Sequence, residues 1–233
     1  FIGGAIGYIA YEAACEQEPL SRGRGDQSLT DLMWGGLYDW VVARDGRDGT
    51  GWIVATDVGE RDPEEACTGV HERLRSTDVP IVTSRTRQGI SNVGRPEFGR
   101  WVEVVKDYIS AGDCYQVNLA RRIEFDPVSS GLDHFERLAS IHPAPFGAYI
   151  EAGELAVLSA SPELFLEVDS AGRALTRPIK GTAPRGPTKV LDSDAESRLR
   201  ESFKDRAENL MIVDVLRNDF GRVCVPGSIR VPS

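Results

Sequence analysis

Residues 159–185 read SASPELFLEVDSAGRALTRPIKGTAPR, and this stretch gives the strongest local prediction in the chain. An apolar run is followed by the polar, glycine-containing segment 169–172 and then by a second run that ends near Ile179. Two such runs joined by a short loop of this composition predict an antiparallel hairpin. Because antiparallel pairing places the start of one strand beside the end of the other, we expect Glu163 and Lys180 at one edge of a sheet.

Residues 181–189 read GTAPRGPTK and share part of the spacing of a phosphate-binding P-loop. Gly181 and Gly186 have the required interval, but residues 187–189 are Pro-Thr-Lys instead of Gly-Lys-Ser/Thr, which excludes that loop. The backbone N–H groups of Gly181 and Thr182 are still expected to be free to bind a carboxylate. The predicted hairpin end therefore combines an acid, an amine and a backbone segment suited to an anion.

The composition is that of a globular, acidic protein. The chain has 233 residues, 41% of them hydrophobic, and a net charge of -9, with 36 acidic against 27 basic side chains. This balance disfavours nucleic-acid binding, which needs a basic face. No apolar run approaches the roughly 18–20 residues of a membrane-spanning helix. The four cysteines and three histidines are scattered without zinc-binding spacing, so reduced thiols and a cytoplasmic location are expected.

Hydrophobic periodicity and turn residues predict the other elements. The first twelve residues, FIGGAIGYIAYE, predict a buried strand whose glycines allow close approach of another backbone. Residues 77–95 are polar and are expected to form a mobile linker. The remaining predictions are strands at 37–43, 51–56, 146–152 and 155–160, and helices at 63–76, 96–111 and 132–141.

Two further segments carry polar side chains on otherwise apolar elements. Residues 113–122 alternate as a strand, with Gln116 and Asn118 on the same face. That face is either a wall facing a ligand or a side facing solvent. Glu208 lies at the border of the apolar stripe of a helix predicted to end near Asp219. Its carboxylate is either a surface charge or a metal ligand.

Five segments, in this order and spacing, resemble the chorismate-utilising enzymes over essentially the whole chain. The resemblance implies an α+β fold with two large packed antiparallel β-sheets and helices outside, and residues 1–233 as a single chorismate-binding domain truncated at both ends. The second metal-binding glutamate and the substrate clamp of the family would lie after Ser233. The five segments are FIGGAIGYIAYE, GDCYQVNLARR, SASPELFLEV, PIKGTAPRG and DRAENLMIVDVLRNDFGRV.

The resemblance also implies roles for individual residues, with chorismate as substrate and Mg²⁺ as cofactor. Glu208 is expected to be one Mg²⁺ ligand, in keeping with the preference of this cation for carboxylate oxygens. Glu163 is expected to be the general acid that protonates the departing C4 hydroxyl group. Gly181 and Thr182 are expected to contact a substrate carboxylate through their backbone.

Lys180 and Gln116 indicate which reaction the resemblance implies. The branch that forms 4-amino-4-deoxychorismate reads PIKGT at this position, whereas the branch that forms anthranilate reads PIAGT. In the first branch the lysine is thought to attack C2 of chorismate. Family members that use water carry a lysine base where Gln116 stands, and an amide cannot activate water. The expected reaction is thus Mg²⁺-dependent amination at C4 in the para-aminobenzoate and folate pathway.

The ammonia for this reaction is expected to come from a glutamine amidotransferase subunit or domain, since no segment of the chain resembles an amidotransferase. Two alternatives stay open at this point. One is the component of the anthranilate-forming enzyme that binds chorismate, and the other is a homologue that binds chorismate without catalysis.

Overall fold

The computed structural model describes residues 3–17, 32–58, 61–76, 88–126 and 129–232. Contacts divide the chain into two compact units. One comprises Phe1–Thr83 with Tyr149–Leu158, and the other comprises Ser84–Ala148 with Ser159–Ser233. Residues 77–87 of the predicted linker lie outside the described residues, so its mobility stays a prediction.

The glycine-rich start of the chain forms the first hairpin of the first unit. Strand β1 (Gly4–Ile9) pairs antiparallel with β2 (Met33–Tyr38), and Gly7 lies opposite Gly35. A Cβ atom on Gly7 would collide with the carbonyl oxygen of Trp34, so the predicted close backbone approach is confirmed. The predicted burial is wrong. Ile9 is 71% exposed, because this two-stranded ladder is not covered by another layer among the described residues.

The second hairpin of this unit carries a helix. Strand β3 (Trp40–Arg44) pairs antiparallel with β4 (Gly51–Ala55), and α2 (Pro63–Ser76) packs against both. Asp62 caps α2, since its Oδ1 accepts the backbone N–H groups of Glu64 and Glu65 at 2.9 and 3.1 Å. Val70 of α2 is 8% exposed and is part of the small buried core. In the connection from β1 to β2, a short helix α1 (Ala14–Gln17) follows β1.

The first two helices of the second unit have clear start and stop signals. Helix α3 (Arg95–Ala111) ends at Gly112, whose φ of +82° is left-handed, and α4 (Gly131–Ile141) begins at a capping box formed by Ser130 and Asp133. Both helices are confirmed within a residue of their predicted bounds. Val93, just before α3, is only 5% exposed. No helix in the described part of the chain is long and apolar enough to cross a membrane.

The segment between α3 and α4 differs from its prediction. Residues 113–122 are irregular, and pairing is confined to β5 (Ile90–Ser91) with β6 (Ile123–Glu124). The predicted strand over 113–122 is therefore wrong. Its alternation is real, but no described strand runs beside it to supply ladder hydrogen bonds.

Two further hairpins follow along the chain. Strand β7 (Phe146–Ala152) pairs with β8 (Leu155–Ser161), as predicted. Strand β9 (Leu164–Val168) then pairs antiparallel with β10 (Ala174–Arg177), which confirms the hairpin inferred from 159–185. Asp169 organises its turn, because its Oδ1 accepts the N–H groups of Ala171 and Arg173 at 2.9 Å each.

The chain continues into two helices, α5 (Lys189–Glu201) and α6 (Phe203–Val223). Ser202 begins α6 by accepting the backbone N–H of Asp205 at 3.3 Å. The helices and antiparallel hairpins confirm the predicted α+β class. Each described strand pairs with one other strand, so the described residues by themselves do not assemble the large packed sheets of the expectation.

Candidate functional site

The end of the β9–β10 hairpin holds two of the predicted site residues. Glu163 directly precedes β9, and its Oε1 accepts the backbone N–H of Ile179 at 3.3 Å. Lys180 directly follows Ile179 in the sequence, and both Glu163 and Lys180 are half-buried. No ion pair joins the Lys180 amine to Glu163 or to any other residue that the structure describes. The Glu163 carboxylate is thus fixed to the residue that precedes Lys180, and the Lys180 amine has no ion pair within the described residues.

The backbone of Gly181, at the start of the loop after Lys180, lies close to helix α6. Its φ of +71° is in the left-handed region, and a Cβ atom there would lie 2.9 Å from Cβ and 3.0 Å from Cγ of Asp205. Residues three apart on a helix are neighbours on its surface, so Glu208 lies one turn beyond this contact. Glycine at 181 therefore allows the hairpin end to approach the helix that carries Glu208.

Replacing Gly181 by alanine should lower the free energy of unfolding more than the same change at Gly172. Both glycines have similar backbone angles, with φ of +71° and +75°, but no atom lies within 4 Å of a Cβ atom on Gly172. The left-handed backbone costs about 1–2 kcal/mol at either position. The collision with Asp205 should add about 1–3 kcal/mol at Gly181 alone. Chemical denaturation of the two variants measures the difference, and equal losses would contradict this close contact.

The far end of the same loop is fixed to α5. Arg185 donates from Nε to Oδ1 of Asp192 at 2.7 Å and from Nη2 to Oδ2 at 2.6 Å. The backbone N–H of Gly186 donates to the same Oδ1 at 2.9 Å. The Arg185 hydrogen bond, followed by that of Gly186, lowers the pKa of Asp192 from 3.8 to about 2. Residues 181–186 are therefore held by α6 at one end and by α5 at the other.

The Arg185→Met variant should raise the pKa of Asp192 from about 2 towards its ordinary value of 3.8. A carboxylate with a lowered pKa stabilises the fold above its ordinary value, and the contribution is lost as pH falls through the lowered value. The stability advantage of the unchanged protein over the variant should thus shrink between about pH 4 and pH 2. Carboxyl NMR titration of Asp192 checks this. Arg200→Met, which removes the partner of Glu196 on the same helix, is the control and should leave Asp192 unchanged.

A cavity in the second unit brings two more predicted residues together. Gln116 donates from Nε2 to Oε1 of Glu208 at 3.3 Å, although they are 92 positions apart in sequence. The cavity has a volume of about 670 Å³, within the usual range for small-molecule sites. Its apolar wall consists of Ile109, Val117, Ala207, Met211, Ile212 and Val215.

The predicted site residues thus form two groups. Gln116 and Glu208 line the 670 Å³ cavity, whereas Glu163, Lys180 and Gly181 lie at the hairpin end, outside the lining of that cavity. Thr182 lines a different cavity of about 560 Å³ that also includes Asp205. The contact between Gly181 and Asp205, one helical turn before Glu208, joins the two groups.

Sequence reasoning missed two residues of this region. Lys204 lines the cavity with Gln116 and Glu208. Asp205 lies close to the backbone of Gly181. The interval of four between Lys204 and Glu208 is a signal that could have identified the first, because it places both on one helix face. No local pattern identifies the contact of Asp205, since its partner lies on a distant segment.

Glu208 offers the kind of donor that Mg²⁺ prefers. No group of three or more His, Cys, Asp or Glu side chains suited to a metal ion occurs within the described ranges. Mg²⁺ commonly keeps several waters and binds through one or two carboxylates together with oxygens of its substrate. A single carboxylate beside a cavity therefore fits this cation, with the other ligands coming from water, from substrate or from further protein groups.

Comparison with known proteins gives one consistent family. Residues 2–233 match the family described as chorismate binding enzyme. Aminodeoxychorismate synthase component 1 of Salmonella typhimurium is 38% identical over 233 residues, which cover 100% of this chain and 50% of the relative. The Escherichia coli protein of the same name is 37% identical with the same coverage. Anthranilate synthase component 1 of Aquifex aeolicus is 32% identical, over 99% of this chain and 49% of the relative.

A solved structure gives the same result at the level of the fold. Anthranilate synthase component I from Streptococcus pneumoniae matches with a TM-score of 0.79 and 26% identity, covering 95% of this chain and 50% of that chain. The chain spans about half the length of these relatives. The α+β arrangement of the described residues is therefore one that a known structure contains.

Proposed function

The chain belongs to the chorismate binding enzyme family, and we propose that it is part of an aminodeoxychorismate synthase. In this proposal the enzyme replaces the C4 hydroxyl group of chorismate by an amino group, in the para-aminobenzoate and folate pathway. The observation that carries the proposal is Lys180, which has no ion pair within the described residues and directly follows Ile179, whose N–H donates to the Glu163 carboxylate. The relatives named aminodeoxychorismate synthase component 1 support it.

Lys180 and Glu163 divide the first step between them. The Lys180 amine forms a bond to C2 of chorismate as the C4–O bond breaks. Glu163 donates a proton to the leaving hydroxyl group, which departs as water. Ammonia then forms a bond to C4, and the bond between C2 and the lysine nitrogen breaks to regenerate the amine. The hydrogen bond from the Ile179 N–H to Glu163 supports this division, because it keeps the acid next to the nucleophile.

Gly181, Thr182 and Gln116 bind the substrate in this proposal. A residue in the left-handed conformation can turn its own backbone N–H and that of the following residue towards the same anion. Gly181 has such a conformation, with φ of +71°, so its N–H and that of Thr182 are the contacts to a substrate carboxylate. Gln116 faces the ring with an amide, which has no basic group to activate water, and ammonia is therefore the nucleophile.

Glu208 is the proposed Mg²⁺ ligand, and the bound cation supplies positive charge for a substrate carboxylate. Gln116, which donates to Glu208 at 3.3 Å, orients this carboxylate towards the cavity. The ammonia is supplied by a glutamine amidotransferase subunit or domain. The designation "component 1" in the names of the relatives supports a second component of this kind.

Product identification tests the proposed function. The full-length protein is incubated with chorismate, an ammonium salt and Mg²⁺, and the products are separated and identified by mass spectrometry. The expected product is aminodeoxychorismate, which keeps the enolpyruvyl group, so no pyruvate appears. Anthranilate with pyruvate would instead assign the chain to anthranilate synthase component I. Binding of chorismate in calorimetry without any product would assign it to the non-catalytic homologues.

A further inference from the structure

The loop over residues 181–186 depends on contacts at its two ends for a fixed conformation. The structure describes all of these residues, and none of them belongs to a helix or strand. At the near end the backbone of Gly181 lies close to Asp205. At the far end Asp192 accepts hydrogen bonds from the Arg185 guanidinium at 2.7 and 2.6 Å and from the Gly186 N–H at 2.9 Å. The hydrogen bonds that hold the loop thus converge on one carboxylate.

Asp192 is itself held in place, because it lies in the first turn of α5. Its backbone N–H donates to the carbonyl oxygen of Thr188 at 2.9 Å, at the capped start of the helix. Its side chain is 26% exposed, whereas that of Arg185 is 88% exposed. The lowered pKa of Asp192, about 2, keeps the carboxylate ionised at neutral pH. The Asp192 carboxylate is therefore the anchored partner, and Arg185 and Gly186 are the groups that it holds.

The hold at Gly186 bears on the proposed substrate contacts earlier in the loop. Thr182 lies four positions before Gly186, and Pro184 between them has a ring that fixes its φ. A backbone segment that is already ordered binds a ligand without the entropic cost of ordering it on binding. Release of the far end would therefore weaken binding at the near end, even though the released residues do not contact the ligand.

We infer that Asp192 is a positioning residue for the substrate, which it does not touch. By holding Arg185 and Gly186, it keeps the preceding part of the loop ordered. The backbone N–H groups of Gly181 and Thr182 are then in place to bind a carboxylate of chorismate. This inference rests on the proposed function, in which these two N–H groups are substrate contacts. Asp192 acts on affinity and takes no part in breaking or forming covalent bonds.

The test measures chorismate binding by full-length Asp192→Ala, with Glu201→Ala as the matched control. Glu201 is an exposed carboxylate at the other end of α5. Calorimetry without ammonia gives Kd, and steady-state assays with ammonia give KM and kcat. Asp192→Ala should raise Kd and KM about tenfold, with kcat changed less than about threefold. The control should bind chorismate like the unchanged protein.

Two further measurements separate positioning from other roles. Arg185→Met added to Asp192→Ala should cause little further loss of affinity, because Arg185 acts through this carboxylate alone. In free Asp192→Ala, the amide hydrogens of residues 181–186 should exchange faster than in the control, and saturating chorismate should restore their protection. A variant with a generally less stable fold would instead exchange faster throughout the protein.

Three results would overturn this role. Asp192→Ala binds chorismate as tightly as Glu201→Ala does, its kcat falls while Kd stays the same, or Arg185→Met weakens binding by Asp192→Ala a further tenfold or so, as a direct substrate contact would. Failure of the proposed function is recognised separately, because the unchanged protein then forms no aminodeoxychorismate. Kd still decides the role of Asp192 in that case, since calorimetry does not depend on the product. An unchanged protein that binds no chorismate would contradict both.

Discussion

Replacement of Lys180 by alanine is expected to abolish the formation of aminodeoxychorismate from chorismate, ammonia and Mg²⁺. The change removes the nitrogen that bonds to C2, and Lys180 is the one lysine in the described segment 159–185 that contains the β9–β10 hairpin. Chorismate affinity should change little, because the proposed carboxylate contacts come from other residues. Product formation is followed by chromatography and affinity by calorimetry.

Lys189→Ala is the matched control for Lys180→Ala. Lys189 is an exposed amine at the start of α5, on the other side of the loop that follows Lys180. Its removal should leave the rate of amination unchanged. Amination by Lys180→Ala at a rate close to that of the control would exclude a lysine nucleophile at this position.

The Glu163→Gln variant should lower kcat by about 10²–10⁴-fold, the usual range for loss of a general acid. Glutamine has the same size and keeps an oxygen that can accept the N–H of Ile179, so the hairpin end should keep its geometry. The amide cannot donate the proton that the departing hydroxyl group needs. Steady-state kinetics measure the loss.

Glu167→Gln is the control, since Glu167 lies on β9, the strand that Glu163 precedes, opposite Leu175, and is exposed. It should react like the unchanged protein. If kcat of Glu163→Gln falls by less than about tenfold, the general acid must be a different group. If Glu163→Gln unfolds at the same denaturant concentration as Glu167→Gln, a larger loss of kcat comes from the missing proton donor and not from a less stable fold.

Elements with local signals were predictable from the sequence. The β9–β10 hairpin follows from Asp169 and Gly172, which build its turn within a few residues. Helices α2 and α3 follow from Asp62 at the start of the first and Gly112 at the end of the second. In each case the residue that begins or ends the element contacts backbone only a few positions away. The local sequence is therefore sufficient to predict the element.

Features that depend on distant segments were not predictable in the same way. Residues 113–122 alternate as a strand does, yet a strand forms only where a neighbour supplies hydrogen bonds, and the described residues provide none there. The contact of Gly181 with Asp205 joins segments whose packing no local pattern specifies. The contact between Gln116 and Glu208 was not predicted, because nothing in the chain between them indicates it.

The most direct test of the lysine-based mechanism is peptide mass mapping of the full-length protein after incubation with chorismate and Mg²⁺ without ammonia. A covalent intermediate should increase the mass of Lys180 by one chorismate less one water. Because trypsin does not cleave at a modified lysine, and Arg177 precedes a proline, the modified peptide should span residues 174–185 intact. Ammonia should remove the modification and release aminodeoxychorismate. An unmodified peptide that ends at Lys180, from an enzyme that forms aminodeoxychorismate when ammonia is added, would contradict the account.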